Sequence, residues 1–314
     1  MKKLLNLGLC VLAALLLGSH ATNAWADVRL PSIFADSMVL QRGKPITVWG
    51  WAEPGEKVIV SFNRITAADT AGPDGAWSVR LNAVSEGGPY TLTVNGNDST
   101  ATCRDVLVGD IWLCSGQSNM AMTVRSCNDF EEEQQNADLP NIRMFTVARQ
   151  PSLSPEDDCE GAWAVCSPDT VGGFSATGYF FGREIHEGTG VPIGLIHTSC
   201  GATAVEAWTD PQLQVSHPEL APILEPWADA GDQANQNRPG CLYNGMIRPL
   251  APYTLKGAIW YQGERNSKGA ASVLYGRQLA LLIENWRDLF QCEDMPFGFV
   301  QLPNSMTPQE APSE

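Results

Sequence analysis

Between residues 27 and about 105 the apolar positions fall in short runs and strict alternation. Four segments read as strands: Ile46-Thr47-Val48-Trp49-Gly50-Trp51, Lys57-Val58-Ile59-Val60-Ser61-Phe62, Trp77-Ser78-Val79-Arg80-Leu81 and Tyr90-Thr91-Leu92-Thr93-Val94. Turn signals separate them, at Glu53-Pro54-Gly55, Pro73-Asp74-Gly75, Gly87-Gly88-Pro89 and Asn95-Gly96. Short strands with regularly spaced turns predict a small β-sandwich domain over 27–105.

The pattern changes near residue 106. Val106-Leu107-Val108-Gly109-Asp110-Ile111-Trp112-Leu113-Cys114 is apolar without clean alternation, which suits a strand covered on both faces. Further strands are predicted at 193–197, 257–261 and 297–302. A helix is predicted over 179–186, and another in which Leu279, Leu282, Ile283 and Trp286 share one face. Strands alternating with helices predict a mostly parallel α/β sheet over 106–314. Such sheets bind ligands beyond the carboxyl ends of their strands. Three polar clusters follow strand ends: Ser118, residues 199–203, and residues 262–266.

The first 26 residues stand apart. Lys2 and Lys3 precede an almost wholly apolar run from Leu4 to Leu17, and Ala24-Trp25-Ala26 supplies small residues where a signal peptidase reads. This predicts a signal peptide cleaved before Asp27, hence export to the periplasm or beyond the cell. No later run is long enough to span a membrane. The chain has 35 acidic against 20 basic residues, a formal charge of −15, and loss of Lys2 and Lys3 makes it more negative. Nucleic acid and anionic membranes are therefore poor partners. Of nine cysteines, Cys10 lies in the leader, and the remaining eight in an exported chain permit disulfides. Cys159 and Cys166, the nearest pair, are candidates to close a small loop. No Cys-x-x-Cys pair is present and three histidines remain, so no metal site is expected.

Ser118 stands in a Gly-x-Ser turn between a strand and an expected helix. Gly116 allows a sharp turn, and free N–H groups at a helix start can hold a developing oxyanion. The turn alone fits a helix N-cap equally well. Gly201, just after a buried strand, offers a second N–H or marks an ordinary turn. Gln262, Glu264 and Asn266 offer side-chain amides and a carboxylate, or cap the next helix through Asn266 or Ser267. Trp208, Trp260 and Tyr261 suit sugar rings and core packing alike.

Several ordered blocks resemble the sialate O-acetylesterase family of SGNH hydrolases. Trp112-Leu113-Cys114-Ser115-Gly116-Gln117-Ser118-Asn119-Met120 is similar to its nucleophile block, and Ile193-Gly194-Leu195-Ile196 through Gly201-Ala202-Thr203 to Glu206-Ala207-Trp208 to its glycine block. Tyr243-Asn244-Gly245-Met246-Ile247-Arg248-Pro249-Leu250, Trp260-Tyr261-Gln262-Gly263-Glu264-Arg265-Asn266 and the stretch Phe34-Ala35-Asp36-Ser37-Met38-Val39-Leu40-Gln41 also resemble family segments. One departure is Gly201-Ala202, where the family usually has two glycines. The resemblance implies a three-layer α/β/α esterase domain without cofactor or metal. It makes Ser118 the nucleophile, with Gly201 and Gln262 or Asn266 as oxyanion-hole candidates. Gln117, Asn119, Asn244 and Glu264 are expected to bind substrate, an acetylated glycan or sialic acid.

In that family the base is a histidine in a C-terminal Asp-x-x-His segment. None of His186, His197 and His217 has an aspartate three residues earlier. The chain is therefore expected to be C-terminally truncated, ending in a polar, Pro-containing tail over 305–314 and leaving Phe297-Gly298-Phe299-Val300 without cover. Three readings follow: a serine carbohydrate esterase acting on sialic acid or, alternatively, on acetylxylan; an inactive glycan-binding relative; and a lipid esterase, disfavoured because no long apolar lid is visible.

Overall fold

A computed structural model describes residues 27–303. The leader predicted over 1–26 and the tail over 305–314 lie outside the described residues. The strands are β1 (Val39–Gln41), β2 (Ile46–Trp51), β3 (Lys57–Phe62), β4 (Ile65–Thr70), β5 (Ala76–Leu81), β6 (Gly87–Asn95), β7 (Thr100–Gly116), β8 (Leu139–Val147), β9 (Gly161–Cys166), β10 (Ile193–Ser199), β11 (Gly257–Tyr261) and β12 (Phe297–Phe299).

The N-terminal β-rich part obeys the alternation read from sequence. In β2, Ile46, Val48 and Gly50 are buried while Thr47, Trp49 and Trp51 are half-buried on the other face. β5 pairs antiparallel with β2 and buries Trp77, Val79 and Leu81. Beside this ribbon runs an antiparallel sheet in the order β4-β3-β6-β7. The turn expected at Gly87-Gly88-Pro89 instead lies inside β6, where the pairing with β7 shifts register.

β7 runs through the boundary expected at 105/106 without interruption. Asp105 there has a φ of 55°, a left-handed residue in a strand, and the register around it is irregular. This has the character of a β-bulge, which bends the strand and lets it leave one sheet and enter another. Beyond Asp105, β7 is the centre of a parallel sheet, flanked by β10 and β11. β8 adds parallel beside β10, β9 closes that edge antiparallel, and β12 adds parallel beside β11.

Helices cover both faces. The helix Ala176–Thr189 packs Tyr179 into a cluster with Cys114, Met144, Ile193 and Leu195. The helix Gly269–Leu289 packs Leu282 and Trp286 into a second cluster, which also contains Trp208, Trp260 and the β-rich part's Val48, Val58 and Val79. The two chain halves therefore share one core. The predicted helical face is only half buried: Leu282 and Trp286 are fully covered, whereas Leu279 and Ile283 line an apolar groove of about 680 Å³ beside β12. Phe299 is 61% exposed there.

The described residues contain eight free cysteines. The Cys159–Cys166 loop closure is corrected: Cys159 belongs to the first core cluster and Cys166 to the other. No helix among the described residues is long and apolar enough to cross a membrane.

Candidate active site

Gly116 ends β7, and the register sets Ser199 of β10 on one side of it and Tyr261 of β11 on the other. The three strand ends marked by polar clusters therefore meet. Two backbone bonds pin them, from Cys200 N–H to the Gly116 carbonyl (3.1 Å) and from Gln117 N–H to the Tyr261 carbonyl (2.9 Å). Gly116 has a φ of 142°, and a methyl added there would lie 2.1 Å from the Tyr261 carbonyl oxygen. Only glycine lets the chain turn against β11 at this point.

The turn delivers an exposed Ser118 to the start of the short helix Ser118–Ala121. The N-cap reading of Ser118 is corrected, because the cap position is Gln117 and no side chain caps this helix. The cap reading of Asn266 and Ser267 fails similarly, since Lys268 precedes the helix Gly269–Leu289.

Gly201 sits against the serine: a methyl added to it would lie 3.8 Å from Ser118 Cβ. Among the described residues neither the Ser118 nor the Gly201 N–H donates to a protein acceptor. Ala202 follows with a φ of 59°. A left-handed backbone here accounts for a glycine preference at this position, and the alanine carries the strain.

The other expected site residues form the frame around this corner. Gln117 is buried, and its Oε1 accepts from the N–H groups of Gly263 (3.4 Å) and Arg265 (3.3 Å). Through Oε1 it ties the serine turn to the β11 loop. Asn119 Nδ2 donates to Glu264 Oε1 at 2.6 Å, and Glu264 Oε2 is buried with no partner. Gln262 Nε2 donates to the Thr203 carbonyl (2.9 Å) and to Asn266 Oδ1 (2.7 Å). Both its N–H groups are thereby used, and it has none to offer an oxyanion. Asn266 Nδ2 donates to Glu206 Oε2 (2.9 Å), while its Oδ1 also accepts from Val205 N–H (3.0 Å). Asn244 is buried and donates to the carbonyls of Ser152 and Leu153. Through Nδ2 it braces the 152–153 loop, and it makes no hydrogen bond to the serine corner among the described residues.

Sequence reasoning missed the groups that anchor this frame. The buried Glu206 carboxylate accepts from Asn266 and, at 3.4 Å, from Gln278 Nε2. Tyr275 donates to the Gln262 carbonyl at 2.8 Å and lies 3.0 Å from Gln262 Oε1. An acid inside the apolar run Val205–Trp208 was the available signal for the first. The aromatic residues resolve toward packing: Trp208 and Trp260 are buried, with ring centroids 6.1 Å apart and edge to face. Such burial contributes roughly 3 kcal/mol for each ring.

No histidine among the described residues hydrogen-bonds Ser118. His186 Nδ1 lies 2.7 Å from the Val191 carbonyl, and His217 contacts Arg277 and Glu219. His197 points along its own strand, with Nε2 2.6 Å from Ser199 Oγ and Nδ1 buried without a partner. Burial, with the nearby Arg149 charge, lowers its pKa to about 4, so the imidazole is neutral in the folded chain at pH 7.

Residues 108–312 match the family of carbohydrate esterases described as sialic acid-specific acetylesterases. The chain belongs to that family. Sialate O-acetylesterase of Mus musculus is 30% identical over 93% of this chain and 63% of its own length. The Homo sapiens enzyme of the same name is 32% identical over 90% of this chain and 60% of its own. The chain thus spans about three-fifths of the length of these relatives. The crystal structure of a carbohydrate acetylesterase from Xanthomonas citri superimposes with a TM-score of 0.78 at 39% identity, over 88% of this chain and 60% of that one.

Proposed function

We propose that this chain carries the nucleophile and oxyanion groups of a serine carbohydrate O-deacetylase that acts on O-acetylated sialic acid or a related acetylated sugar. The observation that carries the reading is the corner at Gly116. An exposed serine stands there beyond the carboxyl ends of parallel strands, with the partnerless N–H groups of Ser118 and Gly201 beside it.

In the reaction, Ser118 Oγ adds to the acetyl carbonyl carbon and the carbonyl oxygen becomes an oxyanion. The two backbone N–H groups are fixed before reaction and stabilise that charge. The carbon–oxygen bond to the sugar breaks, the sugar oxygen takes a proton, and an acetyl-serine remains. Water then releases acetate and restores the hydroxyl. A serine hydroxyl needs a base to take its proton, and no described histidine touches Ser118. That observation favours the second reading, a glycan-binding relative without turnover. The leader expected over 1–26 supports export, to the periplasm or outside the cell.

The test is acetate release from an acetylated sialoside and an acetylated xylan, using the 314-residue chain beside Ser118→Ala. Release that disappears in the variant supports the proposal and ranks the two substrate classes. Folded protein releasing no acetate in either form would reject turnover by this chain.

A further inference from the structure

A second candidate site lies away from Ser118, on the face of the β2–β5 ribbon turned toward Phe34, Tyr253 and the 248–252 segment. Alternation along β2 puts Trp49 and Trp51 side by side on this face. Their cross-strand partners on β5 are Ser78 and Ala76, both small and exposed. Two large indoles opposite two small residues leave a trough above the ribbon. It has a volume of about 470 Å³, within the range of small-molecule sites.

The opposite wall is polar. Asp157 and Arg248 line it, and neither side chain makes a hydrogen bond or ion pair among the described residues. The wall is held in place from both ends. Asp158 accepts from Ser32 N–H at 2.9 Å and pairs with Arg29 at 3.4 Å, and the Arg29 guanidinium lies 3.8 Å from the Trp51 ring centroid. Arg248 directly follows the turn Tyr243–Ile247, in which Asn244 braces the 152–153 loop and the Met246 carbonyl accepts from Thr198 on β10.

We propose that this trough binds a neutral pyranose unit of an oligosaccharide. The Trp49 ring packs edge to face with Phe34 and one face of Trp51 carries the Arg29 guanidinium, so it is the other face of Trp51 that is left to meet the apolar C–H face of a pyranose ring. A carboxylate and a guanidinium without protein partners supply an acceptor and donors for the hydroxyls. With Asp69 and Asp157 lining the trough beside Arg248, and Arg29 at Trp51 paired with Asp158, carboxylates outnumber guanidinium groups, which favours a neutral sugar over an anionic one. The proposal goes beyond the esterase reading and does not depend on Ser118.

The experiment is calorimetric titration of the Ser118→Ala chain with xylohexaose and with sialyllactose, both free of acetyl groups. The expected result is saturable binding of xylohexaose with Kd of order 1 mM, weakened about tenfold or more by Asp157→Ala with Arg248→Ala. Those two side chains have no hydrogen bond or ion pair to lose, so this variant is expected to fold. Trp51→Ala, checked for folding by circular dichroism, should weaken binding as much. Absence of xylohexaose binding by folded protein, binding of sialyllactose alone, or equal binding by the double variant would overturn the proposal. Binding that persists where acetate release fails would count against the esterase reading only.

Discussion

Asp105 and Arg143 form a bidentate pair at the bend of β7, with Nη1 2.6 Å from Oδ2 and Nη2 3.2 Å from Oδ1. The Arg143 side chain is 5% exposed, and its Nη1 also donates to the carbonyls of Ser37 and Asp105. The pair fastens β8 of the parallel sheet to the point where β7 leaves the antiparallel one. Asp105→Ala would leave a buried guanidinium short of its partner and put alanine at a positive φ. We expect a loss of about 2–3 kcal/mol in urea unfolding, below the full cost of breaking a buried pair because Asp105 is partly solvated. Asp105→Asn, which tolerates the left-handed backbone, should lose less.

Ala202 holds a φ of 59° beside the serine corner. Ala202→Gly should relieve that strain and stabilise the chain by about 1 kcal/mol, read as a higher urea midpoint at unchanged slope. A lower midpoint would show that the loop does not hold this backbone in solution.

Gly201→Ala places a methyl in van der Waals contact with Ser118 Cβ. The backbone of Gly201 does not have a positive φ, so stability should change by less than about 0.5 kcal/mol. Covalent labelling of Ser118 by a fluorophosphonate should slow by about tenfold or more, since the methyl crowds the oxyanion position. Equal labelling of both proteins would remove Gly201 from the proposed oxyanion site.

His197 is held neutral, with its pKa lowered to about 4 from an ordinary 6.5. The unfolded chain binds a proton there that the folded chain refuses. Its contribution is fully present above pH 6.5 and is lost as pH falls toward 4, to the extent of order 3 kcal/mol. The fall in urea midpoint between pH 7 and pH 4.5 should therefore be smaller in His197→Asn than in the unsubstituted chain.

The thiols are predicted to be unreactive in the folded state. Burial raises the pKa of Cys103, Cys159 and Cys166 to about 12 and that of Cys114 further still. Among the cysteines of the described residues, only Cys127 is not buried. Ellman's reagent should modify Cys127 first in native protein, and the rest only with denaturant. A disulfide found by mass spectrometry would contradict the free pairings.

The alternation in β2, β3 and β5, the apolar run of β7, and glycine at 116 were legible because each follows from local geometry. A strand's period of two, a strand covered on both faces and a turn against a neighbour leave marks on consecutive residues. The family blocks likewise placed Ser118, Gly201 and the 262–266 loop at one corner, and the sheet register brought them there. What each side chain does at that corner was decided by tertiary structure. Gln262 and Asn266 read as oxyanion-hole or capping candidates and Gln117 as a substrate contact, yet all three also bond partners up to 148 residues away in sequence and hold the frame. The trough at Trp49 and Trp51 was equally hidden, because its far wall comes from Asp157 and Arg248. β7 looked like a domain boundary because apolar patterning changes at residue 106. The bulge at Asp105, stabilised by an arginine from β8, carries one strand through both sheets, and no local pattern encodes a contact between residues so far apart in the chain.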